Sequence, residues 1–245
     1  MKADLLSELT RFLTTSREKT VAIVGAGGKT SLMQYLAQNL SGTVVCTTCT
    51  KLAASEASLF DKHIVWENEE LPEIIRNSDS ILVTRLPIRD DGNLKLSGLS
   101  EKQLVILKEH CDQQLVPLIV EADGAKRRPL KAPAAWEPVI PFFTDLLLVV
   151  VGLRALMKPL DEEILFRSKI FSELTGLAMG ELIDMEAILR FLKHPLGGLK
   201  GIPDGAKRFV VFNLAGCSEM IDQEWIAKEL SGVYDGVFFE SGFSS

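Results

Sequence analysis

The chain has 245 residues, with 27 Lys or Arg against 33 Asp or Glu, for a formal charge of −6. At 47% hydrophobic and 24% charged it can bury an ordinary core, which excludes an intrinsically disordered chain. The mild acidity argues against a general nucleic-acid coat, whose attraction to phosphate needs a broadly basic face.

Membrane and export readings fail on the same inspection. The longest uninterrupted apolar run, Leu146 to Leu153, is eight residues, far below the roughly 18–20 that a spanning helix needs. Asp4 and Glu8 interrupt the leucines near the amino terminus, so the charge-free apolar stretch of a signal peptide is lacking. Four cysteines in a chain this long do not make a disulfide framework. The expected location is the cytoplasm, with neither membrane nor nucleic acid as partner.

Leu5, Leu6, Leu9, Phe12 and Leu13 recur at helical spacing, which predicts an amphipathic helix over 3–14. The apolar run Val21–Val24 follows, and similar runs recur at 43–48, 80–84, 117–121, 145–151, 208–213 and 235–239. Helix-like segments lie between most of them, notably 30–40, 100–112, 184–193 and 222–230. Near-continuous apolar strands alternating with helices predict a three-layer α/β/α fold with a mainly parallel sheet. Two stretches break the alternation. Residues 85–99, with Asp90-Asp91-Gly92-Asn93 inside them, read as a hairpin insertion. Residues 123–141 hold Pro129, Pro133, Pro138 and Pro141, which predicts an irregular surface loop. With no repeat, low-complexity tract or linker, residues 1–245 read as a single nucleotide-binding domain.

The nucleotide expectation comes from Gly25-Ala26-Gly27-Gly28-Lys29-Thr30, which follows a predicted strand and opens a predicted helix. Glycines permit positive φ and let backbone N–H groups close around an anion. The helix start adds unpaired N–H groups and a positive dipole end. Lys29 can reach outer phosphates, and the Thr30 hydroxyl can ligate Mg²⁺. The strict phosphate-loop pattern is not met, because Ile23 stands where its first glycine belongs. A dinucleotide fingerprint is nearly met through Gly25 and Gly27, but Thr30 replaces its third glycine. No carboxylate ends the second strand at Thr47-Thr48-Cys49-Thr50-Lys51, although Lys51 can serve a 2′-phosphate, so an NADP-binding oxidoreductase stays as an alternative. The Gly-Lys-Thr triplet favours phosphate-loop binding of ATP or GTP.

Leu118–Val120 runs into Glu121, Ala122 and Asp123 at a predicted strand end, where doubly wound folds bind ligands. Two residues apart on a strand, Glu121 and Asp123 face one side and can hold Mg²⁺ or position an attacking water. Lys126, Arg127, Arg128 and Lys131 follow at once and are candidates for a phosphate or other small anionic ligand, or for a solvated surface run. Trp136 in the same loop can pack inward or meet a partner.

Other features carry less. Cys46 and Cys49 are three apart on a predicted strand and so face opposite sides, against joint chelation, and with Cys111 and Cys217 they read as small buried residues. His63, His110 and His194 fit no zinc or nucleophile–base pattern. Asn213 ends a strand where guanine-reading proteins carry Asn-Lys-x-Asp, but Leu214, Ala215 and Gly216 follow it, so guanine preference is unsupported.

The blocks Val24–Ser31, Thr47–Lys51 and Glu121–Pro133, with Glu137–Pro141 and Val151-Gly152-Leu153, together resemble the YqeC family. The likeness spans about residues 20–215, and Glu121–Pro133 is its most specific part. Its members are described as accessory proteins of selenium-dependent molybdenum hydroxylases. The resemblance implies a P-loop-type fold, consistent with the expectation that Gly25, Ala26, Gly27, Gly28, Lys29, Thr30 and Ser31 hold the nucleotide, and a role in maturing such an enzyme or its cofactor. The residues themselves, beside the resemblance, give Thr30, Glu121 and Asp123 as the expected Mg²⁺ ligands and Lys29, Glu121 and Asp123 as the expected catalytic set. Cys49 departs from an expected run of threonines. The short Gly-Gly-Lys-Thr loop is also similar to that of Mur-type ligases, so an ATP-dependent kinase or ligase of a small anionic substrate is a further alternative. A module that senses nucleotide without turnover is the third.

Overall fold

The structure, a computed structural model, describes residues 4–14, 19–67, 70–72, 80–90, 92–217 and 219–241. The chain packs as two compact units. One comprises Met1–Ile23, Thr30–Asp123 and Pro141–Leu146, and the other Val24–Lys29, Gly124–Ile140 and Leu147–Ser245.

The first unit opens with helix α1 (Leu5–Thr14), which buries Leu5, Leu9 and Phe12 as their spacing predicts. Strand β1 (Thr20–Ala26, as far as Ile23), helix α2 (Lys29–Asn39, from Thr30 on) and strands β2 (Val44–Thr48), β3 (Lys51–Ala53) and β4 (Lys62–Val65) follow. Strands β5 (Ser80–Asp90) and β6 (Asn93–Ser97), helix α3 (Glu101–Gln114) and strand β7 (Leu118–Glu121) complete it. The strands run β1-β7-β2-β5-β6-β3, with β4 beside β5. Pairings β1–β7, β2–β7, β2–β5 and β4–β5 are parallel. Both β2 and β7 are buried along their whole length, the pattern of strands covered on both faces.

Ser100 starts α3 because its hydroxyl accepts from Gln103 N while Gln103 Oε1 accepts from Ser100 N at 3.1 Å, a reciprocal cap. The helix packs Leu104, Leu107 and Cys111 against Val45, Ile81, Val83, Leu118 and Val120. Each fully buried aliphatic side chain of this kind contributes roughly 1.5–3 kcal/mol. The expected insertion at 85–99 is the antiparallel β5–β6 hairpin, with Asp90 opposite Asn93. Gly92 supplies a positive φ of 76° beside that turn, while Asp91 lies outside the described residues.

The second unit contains strands β8 (Leu130–Lys131), β9 (Leu146–Gly152, from Leu147 on) and β10 (Leu165–Phe166), then helices α4 (Ser168–Thr175) and α5 (Met185–Lys193). Strand β11 (Lys207–Asn213), helix α6 (Gln223–Leu230) and strand β12 (Gly236–Glu240) end it. Asp184 and Asp222 cap α5 and α6 by accepting from Ala187 N and Trp225 N. Parallel β11 and β12 place Phe212 on Phe239, stacked at 5.0 Å. The expected irregular loop at 123–141 carries one short regular piece, β8, which pairs in parallel with β10. The Glu137–Pro138 peptide is cis.

The fold is therefore α/β, with a large mainly parallel sheet and helices, as the alternation predicts. Strands β3, β4, β8 and β10 and helix α4 are too short or too polar to announce themselves in the sequence. No described helix is long and apolar enough to cross a membrane.

Candidate functional site

The glycine turn is shaped by close backbone approach. Gly25 has φ +94°, and a Cβ there would stand 2.2 Å from Val150 O. Gly27 has φ +82°, and its Cβ would stand 2.5 Å from Gly152 Cα and 2.6 Å from Pro129 O. Neither position admits a side chain, so these glycines are dictated by packing as well as by φ. Asn213, buried at the end of β11, donates Nδ2 to Gly27 O at 2.7 Å and accepts from Ala215 N at 3.0 Å. Lys29 is 5% exposed and donates Nζ to Gly25 O at 2.9 Å. Ala26 is buried, and Gly28, Thr30 and Ser31 are each half-buried.

In the first unit, Thr30 Oγ1 donates to Glu121 Oε2 at 2.8 Å. Strand β7 ends at Glu121, paired with Ile23 of β1 on one side and Thr48 of β2 on the other. Glu121 O accepts from Cys49 N at 2.9 Å and Thr48 Oγ1 at 3.0 Å, so the backbone under the carboxylate is held from β2. Asp123 is also buried, but it lies past the strand end, so strand alternation does not set its side chain as the sequence spacing suggested. Among the described residues no three His, Cys, Asp or Glu side chains gather as a metal-holding group. Two cis ligands of octahedral Mg²⁺, each at about 2.1 Å, stand about 3 Å apart. The Thr30–Glu121 oxygen pair has that spacing, and both are the hard oxygen donors Mg²⁺ takes.

Beyond Glu121, the four loop cations separate. Lys126 and Arg127 are exposed in a turn closed by Arg128 N donating to Ala125 O at 2.9 Å, with Arg128 half-buried. Arg154, exposed just after β9, donates Nη2 to Arg127 O at 3.3 Å. Lys131 is only 4% exposed and donates to Gly124 O at 2.7 Å and Glu137 Oε2 at 2.8 Å. Arg167 grips the same carboxylate through both terminal nitrogens, with Nη2 to Oε1 at 3.1 Å. Burial opposes ionisation of Glu137, but the Arg167 and Lys131 hydrogen bonds outweigh it and hold the carboxyl below its ordinary value. Trp136 is 75% exposed and so does not pack inward.

The cysteines divide too. Cys46 and Cys111 are buried, as expected; Cys49 and Cys217 are only partly so, and all four are free. Burial and then the nearby Glu121 charge push the Cys49 thiol up to about 12, so it is inert as a nucleophile at neutral pH. Lys51 pairs with Asp90 at 3.2 Å.

The model of the family described as YqeC protein matches residues 21–169. The chain belongs to the YqeC family. It is also similar to "Uncharacterized protein YqeC" of Escherichia coli (strain K12), 28% identical over 219 residues that cover 87% of this chain and 83% of that protein. No solved structure matches it. In this YqeC-family chain the residues that sequence reading passed over are Arg154, Arg167 and the amide of Asn213. Arg154 carried one signal, its place just past a strand end; nothing local marked Arg167, whose partner Glu137 is 30 residues away.

Proposed function

We propose that this chain binds an NTP with Mg²⁺ on the Gly25–Thr30 turn and hydrolyses it to assist maturation of a selenium-dependent molybdenum hydroxylase. One observation carries the nucleotide part: the 2.8 Å contact from the Thr30 hydroxyl to the buried Glu121 carboxylate. A threonine directly after the turn's lysine, touching an acid at the end of a neighbouring strand, is the donor set that nucleotide-bound Mg²⁺ uses. Backbone N–H groups of Gly25–Ser31 take the phosphates, and Lys29 balances their charge. Glu121 and Asp123 hold Mg²⁺, which supplies charge neutralisation of the phosphates, and orient the attacking water. Asn213 gives its amide to Gly27, which leaves guanine recognition unsupported. Family membership supports the accessory role.

Lys29→Ala is expected to weaken Mg·ATP and Mg·GTP binding by roughly 100-fold or more in calorimetry, with circular dichroism unchanged. Unchanged affinity sinks the nucleotide reading. In a strain lacking the gene, the hydroxylase is expected to lose activity without losing protein level, and Lys29→Ala to fail in restoring it. Full hydroxylase activity in that strain sinks the pathway and leaves the nucleotide site standing.

A further inference from the structure

Five described non-glycine residues have positive φ: Leu115, Lys126, Arg127, Met157 and Arg167. Only Lys126 and Arg127 are consecutive, at 47° and 59°, and they are the central pair of the Ala125–Arg128 turn. Positive φ at both central positions is type I′ geometry, which Asn-Gly fits and which strains residues with longer side chains. Burial does not compensate, since both side chains are exposed. Among the described residues neither cation meets a carboxylate, and Lys126 Nζ stands 5.2 Å from the Phe166 ring centroid. That cation–π contact is worth about 0.5–1 kcal/mol at an exposed site, less than the strain of two consecutive left-handed residues at about 1–3 kcal/mol each. Folding alone therefore does not account for Lys-Arg here. Strain kept at an exposed cationic turn points to a ligand.

The surroundings say where that ligand sits. Pro129, one residue past the turn, sets its carbonyl against Gly27, and Gly152, two residues before Arg154, sets its Cα there as well. Arg154 braces the turn through Arg127 O, using one of the five N–H donors of its guanidinium. Three exposed cations thus stand within three residues of backbone atoms that touch the glycine turn.

We infer that the Ala125–Arg128 turn and Arg154 form one oxyanion-binding element, in which Lys126, Arg127 and Arg154 take a tetrahedral phosphate-type oxyanion. The inference rests on the nucleotide reading of Gly25–Thr30 and names what lies beside it. Guanidinium forks and an ammonium suit such oxygens through charge-assisted hydrogen bonds. Two sources share this chemistry: the terminal phosphate of the NTP, and a free oxyanion bound with the diphosphate. Lys131 is not part of the element, because Glu137 and Gly124 O already hold it.

The test uses the full chain and two variants, Lys126→Asn/Arg127→Gly, which keeps the turn and removes both charges, and Arg154→Ala. The double variant is expected to melt about 3–6 °C above the parent, since it relieves two strained positions. Calorimetry then follows orthophosphate alone, Mg·ADP, Mg·ATP, and Mg·ADP with orthophosphate. Both variants are expected to keep Mg·ADP affinity. If the terminal phosphate is the source, the preference for ATP over ADP falls about tenfold or more in both variants. If a free oxyanion is the source, that preference stays and orthophosphate binding falls about tenfold or more, alone or on the ADP complex. Unchanged ATP preference together with unchanged or unmeasurable orthophosphate binding overturns the proposal, as does a double variant that melts lower. Failure of the nucleotide reading looks different: Lys29→Ala then leaves Mg·ADP and Mg·ATP binding intact, while the turn variants still lose orthophosphate.

Discussion

Lys126-Arg127 and Lys131 belong to one basic run, yet the structure treats its two ends in opposite ways. At the near end two exposed cations sit at positive φ with no carboxylate among the described residues. At the far end Lys131 is almost fully buried, with Glu137 and Arg167 closing an ion network around it. The near end spends stability to display charge; the far end uses charge to fix the loop on β10, whose Phe166 pairs with Lys131. Charge count alone is thus a poor guide to ligand binding, and the partner of each cation decides its role.

Glu137→Gln is expected to have the largest effect on this basic run. The amide keeps the shape but removes the carboxylate charge that Lys131 and Arg167 share, and because Glu137 is only half-buried the loss costs about 3 kcal/mol, the low end for breaking a buried pair. For a chain of this size that lowers the melting temperature by about 10 °C. Native protein should bind orthophosphate as the parent does, within about twofold. A Glu137→Gln protein that melts like the parent would show the network to be a surface decoration.

A smaller effect is the acid response of the same network. The folded carboxyl of Glu137 lies below its ordinary value of 4.5, so the unfolded chain binds the proton more readily. Its stabilisation is therefore fully present above about pH 4.5 and is lost as pH falls through the depressed folded value. Asp61 and Asp90 are also held low, by Ser80 and by Lys95 with Lys51, and contribute in the same direction. The difference between parent and Glu137→Gln isolates the network. Urea unfolding between pH 3 and 6 should show a steeper loss for the parent, and parallel curves would refute the assignment.

What could be read from sequence follows from how local each signal is. The strands and helices that position β7 are long apolar or amphipathic segments, so periodicity found them. Gly25–Thr30 was legible because strand, glycines and helix start are contiguous. Glu121 was legible as an acid at a strand end. Its contact with Thr30 spans 91 positions and depends on β1 lying beside β7, which a linear pattern does not contain. Lys131 looked like its neighbours because burial and the Arg167 partner, 30 residues from Glu137, are tertiary facts. The positive φ of Lys126 and Arg127 was invisible because their letters argue against a type I′ turn. A strained site is where propensity should mislead.

The mildest test touches the glycine turn from the other side. Asn213 was legible only as a failed guanine motif, yet its amide donates to Gly27 O at 2.7 Å and its carbonyl accepts from Ala215 N. Like Glu137, it is a polar group that fixes a loop; unlike half-buried Glu137, it is buried and carries no charge, so the hydrogen bonds are worth less. Asn213→Ala should cost about 1–2 kcal/mol, because a hydrogen bond is lost and Gly27 O is left with fewer donors. The effect should reach function as well, since a looser Gly27 holds its N–H less well toward a phosphate. Mg·ATP affinity is expected to fall about threefold to tenfold, with Asn213→Asp equally weak because a carboxylate repels the Gly27 carbonyl. Unchanged affinity in both variants, at an unfolding cost of the expected size, would confine Asn213 to stability and leave the shape of the turn to Gly152 and Pro129.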